Sequence, residues 1–257
     1  DVSKALRNLF FTTTEKKKNP YNVKPKNTDR IAVLGAGFMG GGITDVSVNN
    51  GMDVILKDLS EDMIQSSKST IWKGLKRKLK RKQLKDTEAK TIVQRAVGQT
   101  DFKGFQGVDV VIEAIVENME IKQKVIKELE TVCHEDFIFA SNTSSLPLTE
   151  MSKAAKKPEN VIGMHYFSPV PKMPLLEIIK TDQTSEETLA TCYEIGKRQG
   201  KTCIVVNDMP GFYVNRILCP YLIEGLLMIE EGVRIEDIDG ALTSLGMPIG
   251  PITLLDE

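Results

Sequence analysis

Two residues whose side chains can exchange protons lie close together in the middle of the chain. His165 comes directly after the apolar run 161–164, and Glu177 lies inside the apolar run 175–179. Histidine accepts a proton near neutral pH because its ordinary pKa is about 6.5, and a fixed carboxylate stabilises the imidazolium that forms. A carboxylate inside an apolar strand is unfavourable unless it has a partner. The two residues therefore predict a His–Glu pair that acts as a general base.

Each of these side chains also has a simpler interpretation. A histidine beside apolar residues is often a hydrogen-bonded core residue, and Glu177 could face water at a strand edge. Three prolines stiffen the connection between the two runs, which favours a fixed relation between His165 and Glu177. The other histidine, His134, lies in a polar stretch at a helix end and is interpreted as a surface or capping residue.

A glycine-rich hexapeptide directly follows the apolar run 31–34. Its residues are Gly35, Ala36, Gly37, Phe38, Met39 and Gly40, in the pattern G-x-G-x-x-G. Gly35 permits a tight turn, Gly37 lets the backbone approach a pyrophosphate, and Gly40 allows a helix to pack closely on a strand. The helix N terminus supplies free N–H groups to the phosphates. The pattern predicts a dinucleotide site; the alternative is a turn that only packs a helix on a sheet.

The residue that would select the dinucleotide is Asp58, at the end of the next strand candidate. A carboxylate there accepts hydrogen bonds from the ribose hydroxyls of NAD and repels the 2′-phosphate of NADP. Asp58 therefore predicts NAD as the cofactor, against the alternative of a solvated acid at a strand end.

Two further polar groups interrupt apolar sequence. Residues 141–145, Ser-Asn-Thr-Ser-Ser, follow a strand candidate and offer hydroxyl and amide groups to a substrate or a ribose. Capping of a helix near Pro147 would explain some of them equally well. Asn215 lies in an apolar segment at the start of a helical region, where it could face a ligand cleft or hydrogen-bond to another helix.

The elements that must position these side chains alternate between β and α. Seven apolar runs are predicted strands, at 31–34, 54–56, 108–112, 137–140, 161–164, 176–179 and 202–206. Helical patterns fill most of the gaps, at 40–49, 61–80, 119–133 and 185–199, the last with Ser185 as its N-cap. The alternation predicts an α/β fold with a Rossmann-type, doubly wound, mostly parallel sheet over residues 28–208. Because strand carboxyl ends line the ligand crevice of such sheets, His165 and residues 141–145 are expected to lie there.

The two ends of the chain depart from this pattern. Residues 1–27 contain a polar, lysine-bearing stretch without periodicity and are expected to be a linker or connector. Residues 209–257 include helix candidates at 212–231 and 234–245, and they are expected to begin an all-helical domain that is incomplete at Glu257.

Composition narrows the function further. The 257 residues are 41% hydrophobic and 27% charged with a net charge of −1, so no global field attracts nucleic acid or an anionic membrane. No apolar run approaches the ~18 residues of a membrane helix. The four cysteines have neither zinc-ribbon nor CxxC spacing, so no metal site is predicted and reduced thiols in an intracellular compartment are expected.

Five strings together resemble the L-3-hydroxyacyl-CoA dehydrogenase family. They are GAGFMG at 35–40, EAIVEN at 113–118, SNTSS at 141–145, GMHYFSPV at 163–170 and PGFYVNR at 210–216. The resemblance implies an enzyme that oxidises L-3-hydroxyacyl-CoA to 3-ketoacyl-CoA with hydride transfer to NAD. It implies that His165 is the general base and that Glu177 orients the imidazole.

The same resemblance assigns the remaining site residues. Ser144 and Asn215 would hydrogen-bond the reacting oxygen or nearby acyl groups. Glu117 and Lys122 would flank the nicotinamide end of the cofactor, and Asn142 would join Phe38 and Met39 among the cofactor-binding residues.

Residues 3–21 are similar to the connector after the hydratase part in the alpha chains of mitochondrial trifunctional enzymes. This similarity implies one segment of a multifunctional enzyme of fatty-acid β-oxidation. A homodimer or a multifunctional complex is expected, in the mitochondrial matrix or, as the alternative, in the peroxisome.

Lysine and arginine are concentrated at 73–85, where they make up eight of thirteen residues. The apolar residues Trp72, Leu75 and Leu79 recur there at helical spacing, which is typical of an amphipathic helix with a solvated face. The resemblance adds a contact with the phosphates of CoA, for which Arg81 is the best candidate. Peripheral contact with an anionic membrane is a third interpretation.

Two competing functions remain open from the sequence. One is a non-enzymatic or structural relative that binds NAD. The other is a dehydrogenase of small hydroxy acids on the same scaffold, which would not depend on a CoA thioester.

Overall fold

The computed structural model describes residues 19–256 and, before them, only Lys4 and Arg7. Most of the connector predicted at 1–27 therefore lies outside the described residues, as does Glu257. The chain divides into two compact units, Asp1–Asp208 and Met209–Glu257.

An eight-stranded sheet forms the centre of the first unit. Its strands are β1 (Arg30–Leu34), β2 (Asp53–Lys57), β3 (Ala96–Gln99), β4 (Val110–Glu113), β5 (Ile138–Ser141), β6 (Val161–Tyr166), β7 (Leu175–Lys180) and β8 (Thr202–Asn207). Their order across the sheet is β3-β2-β1-β4-β5-β6-β7-β8. Every neighbouring pair is parallel except β6 and β7. The predicted Rossmann-type, mostly parallel fold is confirmed.

Helices connect these strands. They are α1 (Phe38–Asn49), α2 (Glu61–Lys80), α3 (Asp86–Gln94), α4 (Met119–Val132), α5 (Leu148–Ser152) and α6 (Glu186–Arg198). The Ser185 hydroxyl accepts a hydrogen bond from the Thr188 N–H at 3.2 Å, which confirms the predicted N-cap of α6. Helix α2 buries Leu75 in the core and packs Trp72 and Leu79 against it, so the predicted amphipathic stripe is confirmed.

The inner strands are covered on both faces. All residues of β4, β5 and β6 are buried. Parallel strands buried in this way have near-continuous apolar sequence rather than alternation, which is why these strands are visible as apolar runs.

Two elements of the first unit lie outside the predicted set. Strand β3 is short, ends in Gly98 and Gln99, and has only Ala96 fully buried, so it lacks an apolar run. Helix α3 is only nine residues long and has a single buried residue, Ala89. Strand β6 also extends past the predicted 161–164 to Tyr166, so His165 lies inside the strand and not after it.

The second unit contains α7 (Val214–Glu230), α8 (Ile235–Ser244) and α9 (Pro251–Leu255). The Asp239 carboxylate joins α8 to α9 by accepting hydrogen bonds from Ile252 N at 2.9 Å and Thr253 N at 3.0 Å. The hydroxyl of Thr253 also donates to it, and these hydrogen bonds hold the pKa of Asp239 below its ordinary value. Within residues 19–256, no helix combines the length and the apolar character needed to cross a bilayer.

Candidate active site

The glycine-rich turn connects β1 to α1, and each glycine meets a different steric demand. Gly35 has φ +92°, and a Cβ there would lie 2.4 Å from the carbonyl oxygen of Ala114. A Cβ on Gly40 would lie 1.8 Å from the carbonyl oxygen of Gly35. Apart from Gly37 itself and its two chain neighbours, no heavy atom of the described residues lies within 4 Å of a Cβ built on Gly37, the N-cap of α1. This open space beside a helix N terminus fits a bound pyrophosphate.

Asp58 follows β2 directly and contacts this turn. Its Oδ2 accepts a hydrogen bond from Ala36 N at 2.6 Å, and its Oδ1 accepts one from Ser60 N at 2.9 Å. Because a carboxylate offers about four acceptor sites, Asp58 can still accept hydrogen bonds from ribose hydroxyls. The residue therefore shapes the turn and remains suited to bind NAD.

His165 and Glu177 are brought into contact by the antiparallel pairing of β6 and β7. They stand directly opposite each other in the register, and the His165 Nδ1 lies 2.8 Å from the Glu177 Oε2. Directly opposed residues project to the same face of a sheet. Glu177 is 0% exposed and His165 is 6% exposed, so Glu177 does not face water. The ring of Phe167 packs against the imidazole with centroids 4.5 Å apart.

His165 lines a cavity of about 370 Å³ at the carboxyl ends of β4, β5 and β6. Five other residues singled out from the sequence line the same cavity, namely Met39, Glu117, Lys122, Asn142 and Ser144. The cavity thus combines the candidate base with most of the residues expected near the nicotinamide. Glu177 lies behind His165, and the glycines of the turn and Asp58 are not part of this wall.

Lys122 is the most deeply buried cation of this wall. Its side chain is 1% exposed, and its Nζ lies 2.7 Å from Glu113 Oε1 and 3.1 Å from Glu117 Oε2. The Glu117 Oε1 accepts hydrogen bonds from the Thr143 hydroxyl at 2.5 Å and from Ser144 N at 3.3 Å. Burial alone would raise the pKa of Glu117, but the hydrogen bond from Thr143 and the charge of Lys122 lower it below its ordinary value.

The polar residues after β5 mainly organise their own loop. The Asn142 Oδ1 accepts a hydrogen bond from Tyr166 N at 2.9 Å, which connects the end of β5 to β6. The Thr143 Oγ1 accepts from Leu146 N at 2.9 Å. The N-cap of α5 is Pro147, which makes no side-chain cap hydrogen bond. The capping interpretation of residues 141–145 is therefore wrong for α5.

Sequence reasoning gave no role to Glu113 and expected Ser141, within residues 141–145, to offer its hydroxyl to a substrate or a ribose. Both residues instead belong to the network behind the cavity. Glu113 is 0% exposed, and its Oε2 accepts a hydrogen bond from the Ser141 hydroxyl at 2.7 Å. The signal was present in the sequence, because Glu113 ends an apolar strand as Glu177 interrupts one.

The basic stretch forms one wall of a second and larger cavity, of about 820 Å³. Six cationic residues line it, Lys73, Arg77, Lys78 and Arg81 from the α2 side and Lys172 and Lys201 from other segments. Among the described residues Asp45 is the only acid in this wall, and burial raises its pKa while Lys78 lowers it again in part. Arg81 therefore lies in a strongly cationic cavity, whereas Lys76 and Lys80 are exposed outside it.

A third cavity, of about 390 Å³, lies between α1, α2 and the β6–β7 connection. It shares Asp45, Thr70, Pro169 and Pro171 with the cationic cavity. It also includes Phe38 and Pro169, which are the chain neighbours of Met39 and Ser168 in the His165 cavity. The three cavities therefore follow one another along the first unit.

Asn215 is the second residue of α7 in the second unit, and its predicted role stays a prediction. Over the described part of the chain, no cluster of three or more His, Cys, Asp or Glu side chains is arranged to hold a metal ion.

Comparison with known proteins identifies the family of this chain. Residues 30–209 match the family model described as 3-hydroxyacyl-CoA dehydrogenase, NAD binding domain, and residues 211–257 match the C-terminal domain of the same family. The Ralstonia eutropha (S)-3-hydroxybutyryl-CoA dehydrogenase PaaH1 is 36% identical, with a TM-score of 0.84 over 89% of this chain and 81% of that one.

Two other solved structures are similar. Mycobacterium tuberculosis FadB2 is 35% identical with a TM-score of 0.83, over 89% of this chain and 82% of that one. The dehydrogenase part of Caenorhabditis elegans multifunctional enzyme 1 is 28% identical with a TM-score of 0.69, over 90% of this chain and 54% of that one.

Proposed function

Since the chain belongs to the NAD-binding 3-hydroxyacyl-CoA dehydrogenase family, we propose that it oxidises L-3-hydroxyacyl-CoA thioesters to 3-ketoacyl-CoA. The observation that carries this proposal is the buried contact of 2.8 Å between His165 Nδ1 and Glu177 Oε2 at the wall of the cavity that Ser144 and Lys122 also line.

The contact determines which ring nitrogen of His165 can act as the base. The Glu177 carboxylate accepts a hydrogen bond from Nδ1–H, so Nε2 carries the lone pair. Nε2 takes the proton of the substrate 3-hydroxyl as the C3–H bond breaks and the C3–O bond becomes a carbonyl. The imidazolium that forms is stabilised by the adjacent carboxylate of Glu177.

NAD, when bound, accepts the hydride from C3. The residues that would hold it are the Gly35–Gly40 turn for the pyrophosphate and Asp58 for the ribose. Glu117, Lys122 and Asn142 would face its nicotinamide end. Ser144 would hydrogen-bond the reacting oxygen.

The cationic cavity supports a CoA thioester over a small hydroxy acid. CoA carries a pyrophosphate and a 3′-phosphate, and six cationic residues around one cavity match that charge. Arg81 belongs to this set and is the proposed CoA contact.

A single assay distinguishes the candidate functions. We expect the protein to oxidise NADH in the presence of acetoacetyl-CoA and not in the presence of acetoacetate. Turnover of acetoacetate alone would favour a small hydroxy-acid dehydrogenase. NADH binding without turnover of either compound would favour a non-enzymatic relative.

We also propose that the reaction serves fatty-acid β-oxidation in the mitochondrial matrix, with the peroxisome as the alternative, as one segment of a trifunctional-type alpha chain. The 28% identity to the dehydrogenase part of a multifunctional enzyme supports the proposal that the chain is one segment of a multifunctional protein. A homodimer or a multifunctional complex would be the assembly, and α2 would be the segment that contacts an anionic membrane. Hydratase activity in the natural protein, its native mass and its organelle would test these proposals.

A further inference from the structure

The carboxylate of Glu113 has no role in the proposed reaction, yet it lies at the centre of the polar network behind the His165 cavity. Glu113 ends β4, is 0% exposed and accepts three hydrogen bonds. Its donors are Ile115 N at 2.8 Å, Lys122 Nζ at 2.7 Å and the Ser141 hydroxyl at 2.7 Å. Three donors hold this buried carboxylate in one orientation.

The position of Lys122 depends on this carboxylate. Its ammonium is 1% exposed and lies between Glu113 at 2.7 Å and Glu117 at 3.1 Å. The two acids differ in their surroundings, because the Glu113 side chain is 0% exposed and the Glu117 side chain is 39% exposed. Glu113 is therefore the rigid partner of the lysine, and Glu117 is the partner at the cavity.

Glu117 in turn forms hydrogen bonds with the loop after β5. Its carboxylate accepts hydrogen bonds from the Thr143 hydroxyl at 2.5 Å, from Ser144 N at 3.3 Å and from the Ser145 hydroxyl at 3.3 Å. One continuous set of contacts therefore runs from the buried end of β4 to the backbone of Ser144 at the cavity wall.

We propose that Glu113 is a positioning residue of the active site. It anchors the Lys122 ammonium, the ammonium holds the Glu117 carboxylate, and that carboxylate holds the loop of Ser144 beside His165. Loss of the Glu113 charge leaves the ammonium attracted only by the half-exposed Glu117, so both groups shift toward solvent and the Ser144 loop loses its support. The inference rests on the proposed dehydrogenase activity.

Three variants of the full-length protein test this role. Glu113→Gln keeps the shape and one acceptor oxygen and removes the charge. Lys122→Met removes the ammonium and leaves a buried carboxylate without its cation. The double variant Glu113→Gln with Lys122→Met removes both charges. Lys127→Met changes an exposed lysine on the same helix and serves as the matched control.

The readouts are kcat with acetoacetyl-CoA, the KM of that thioester, the NADH Kd by fluorescence and the melting temperature. We expect Glu113→Gln to lower kcat about ten- to a hundredfold with little change in KM. Lys122→Met should lower the melting temperature most, because it strands a buried charge. The double variant should regain much of that stability and keep the low kcat, while Lys127→Met should match the wild type.

A merely structural role makes the opposite prediction. If kcat recovers together with the melting temperature in the double variant, or if Glu113→Gln has normal kcat, the positioning role is overturned. Ser141→Ala removes one hydrogen-bond donor to Glu113 and no charge, so it should lower kcat less than Glu113→Gln. This variant tests the positioning role if Glu113→Gln does not fold.

A wild-type protein without dehydrogenase activity would reject the proposed function, and the NADH Kd then decides the inference separately. A Kd raised about tenfold or more in Glu113→Gln and in the double variant, but not in Lys127→Met, supports the positioning role. An unchanged Kd in that case overturns it.

Discussion

Glu177 stands directly opposite His165 across the antiparallel β6–β7 pair, with 2.8 Å between Oε2 and Nδ1. β6 and β7 form the one antiparallel pair in the sheet across the described strands. The reversal of chain direction after Tyr166 brings the acid back beside the histidine. The general base of the proposed reaction therefore depends on a register between two strands.

The roles of His165 and Glu177 can be tested by separate substitutions. We expect His165→Gln to lower kcat by about 10²–10⁴-fold, since the base is removed. Glu177→Gln should also lower kcat strongly while leaving the NADH Kd unchanged, because a glutamine side chain no longer balances the imidazolium. Steady-state kinetics and fluorescence titration of NADH measure both. Near-normal kcat in His165→Gln would contradict the assignment of the base.

The glycine turn offers a matched pair of alanine substitutions. Gly40→Ala should fail to fold or lose much stability, because its Cβ would lie 1.8 Å from the Gly35 carbonyl oxygen. Gly37→Ala should fold normally, since no described heavy atom beyond the chain neighbours lies within 4 Å of the added Cβ, and should weaken NADH binding. Thermal unfolding and NADH titration separate the two effects. Equal NADH affinity in Gly37→Ala would argue against a pyrophosphate at this turn.

Asp58 should determine the choice between NAD and NADP. Asp58→Asn keeps an acceptor for the N–H of Ala36 and removes the charge, so the turn should stay intact. We expect the preference for NADH over NADPH to fall about tenfold, because hydrogen bonds from ribose to a charged group are lost and the repulsion of the 2′-phosphate disappears. The ratio of kcat/KM for the two cofactors measures this. An unchanged ratio would indicate that Asp58 only stabilises the glycine turn and does not select the cofactor.

The two sides of α2 provide a charge-matched test of the CoA site. Lys78→Glu with Arg81→Glu reverses two charges inside the cationic cavity, and Lys76→Glu with Lys80→Glu reverses two charges outside it. We expect the first pair to raise the KM of acetoacetyl-CoA more than that of acetoacetyl-pantetheine, which lacks the nucleotide phosphates. Lys76→Glu with Lys80→Glu should raise the KM of neither thioester. Similar KM changes in both pairs would favour a generally solvated basic face.

Glu117 should make stability depend on pH in the acid range. Its pKa in the folded protein lies below the ordinary value of 4.5, so its ionised form stabilises the fold fully above that value. This contribution is lost as the pH falls through the lowered pKa. Thr143→Val removes a hydroxyl donor that lowers this pKa, so the acid-induced loss of stability should be smaller in the variant and should end at a higher pH. Melting temperatures of both proteins across the acid range measure the shift, and superimposable curves would contradict it.

The features of the fold and site that could be predicted from the sequence depend on local residue preferences. The turn at Gly35 and Gly40, the position of Asp58 after β2 and the cap at Ser185 each depend on neighbours within one βα unit. Helix α3 and strand β3 were missed because few of their residues are buried. Residues 1–18, apart from Lys4 and Arg7, and Glu257 lie outside the described residues.

The sequence by itself determined the alternating apolar runs, the glycine turn and the residue types that can exchange protons, because these follow from periodicity and from side-chain chemistry. Only the tertiary structure decided that Glu177 meets His165, since that contact depends on the antiparallel register of two strands. Only the tertiary structure joined Glu113, Lys122 and Glu117 behind the cavity, because burial and packing of β4 against its neighbours determine which charges can share an ammonium. Local sequence does not fix such distant pairings, whereas the order and register of the strands do.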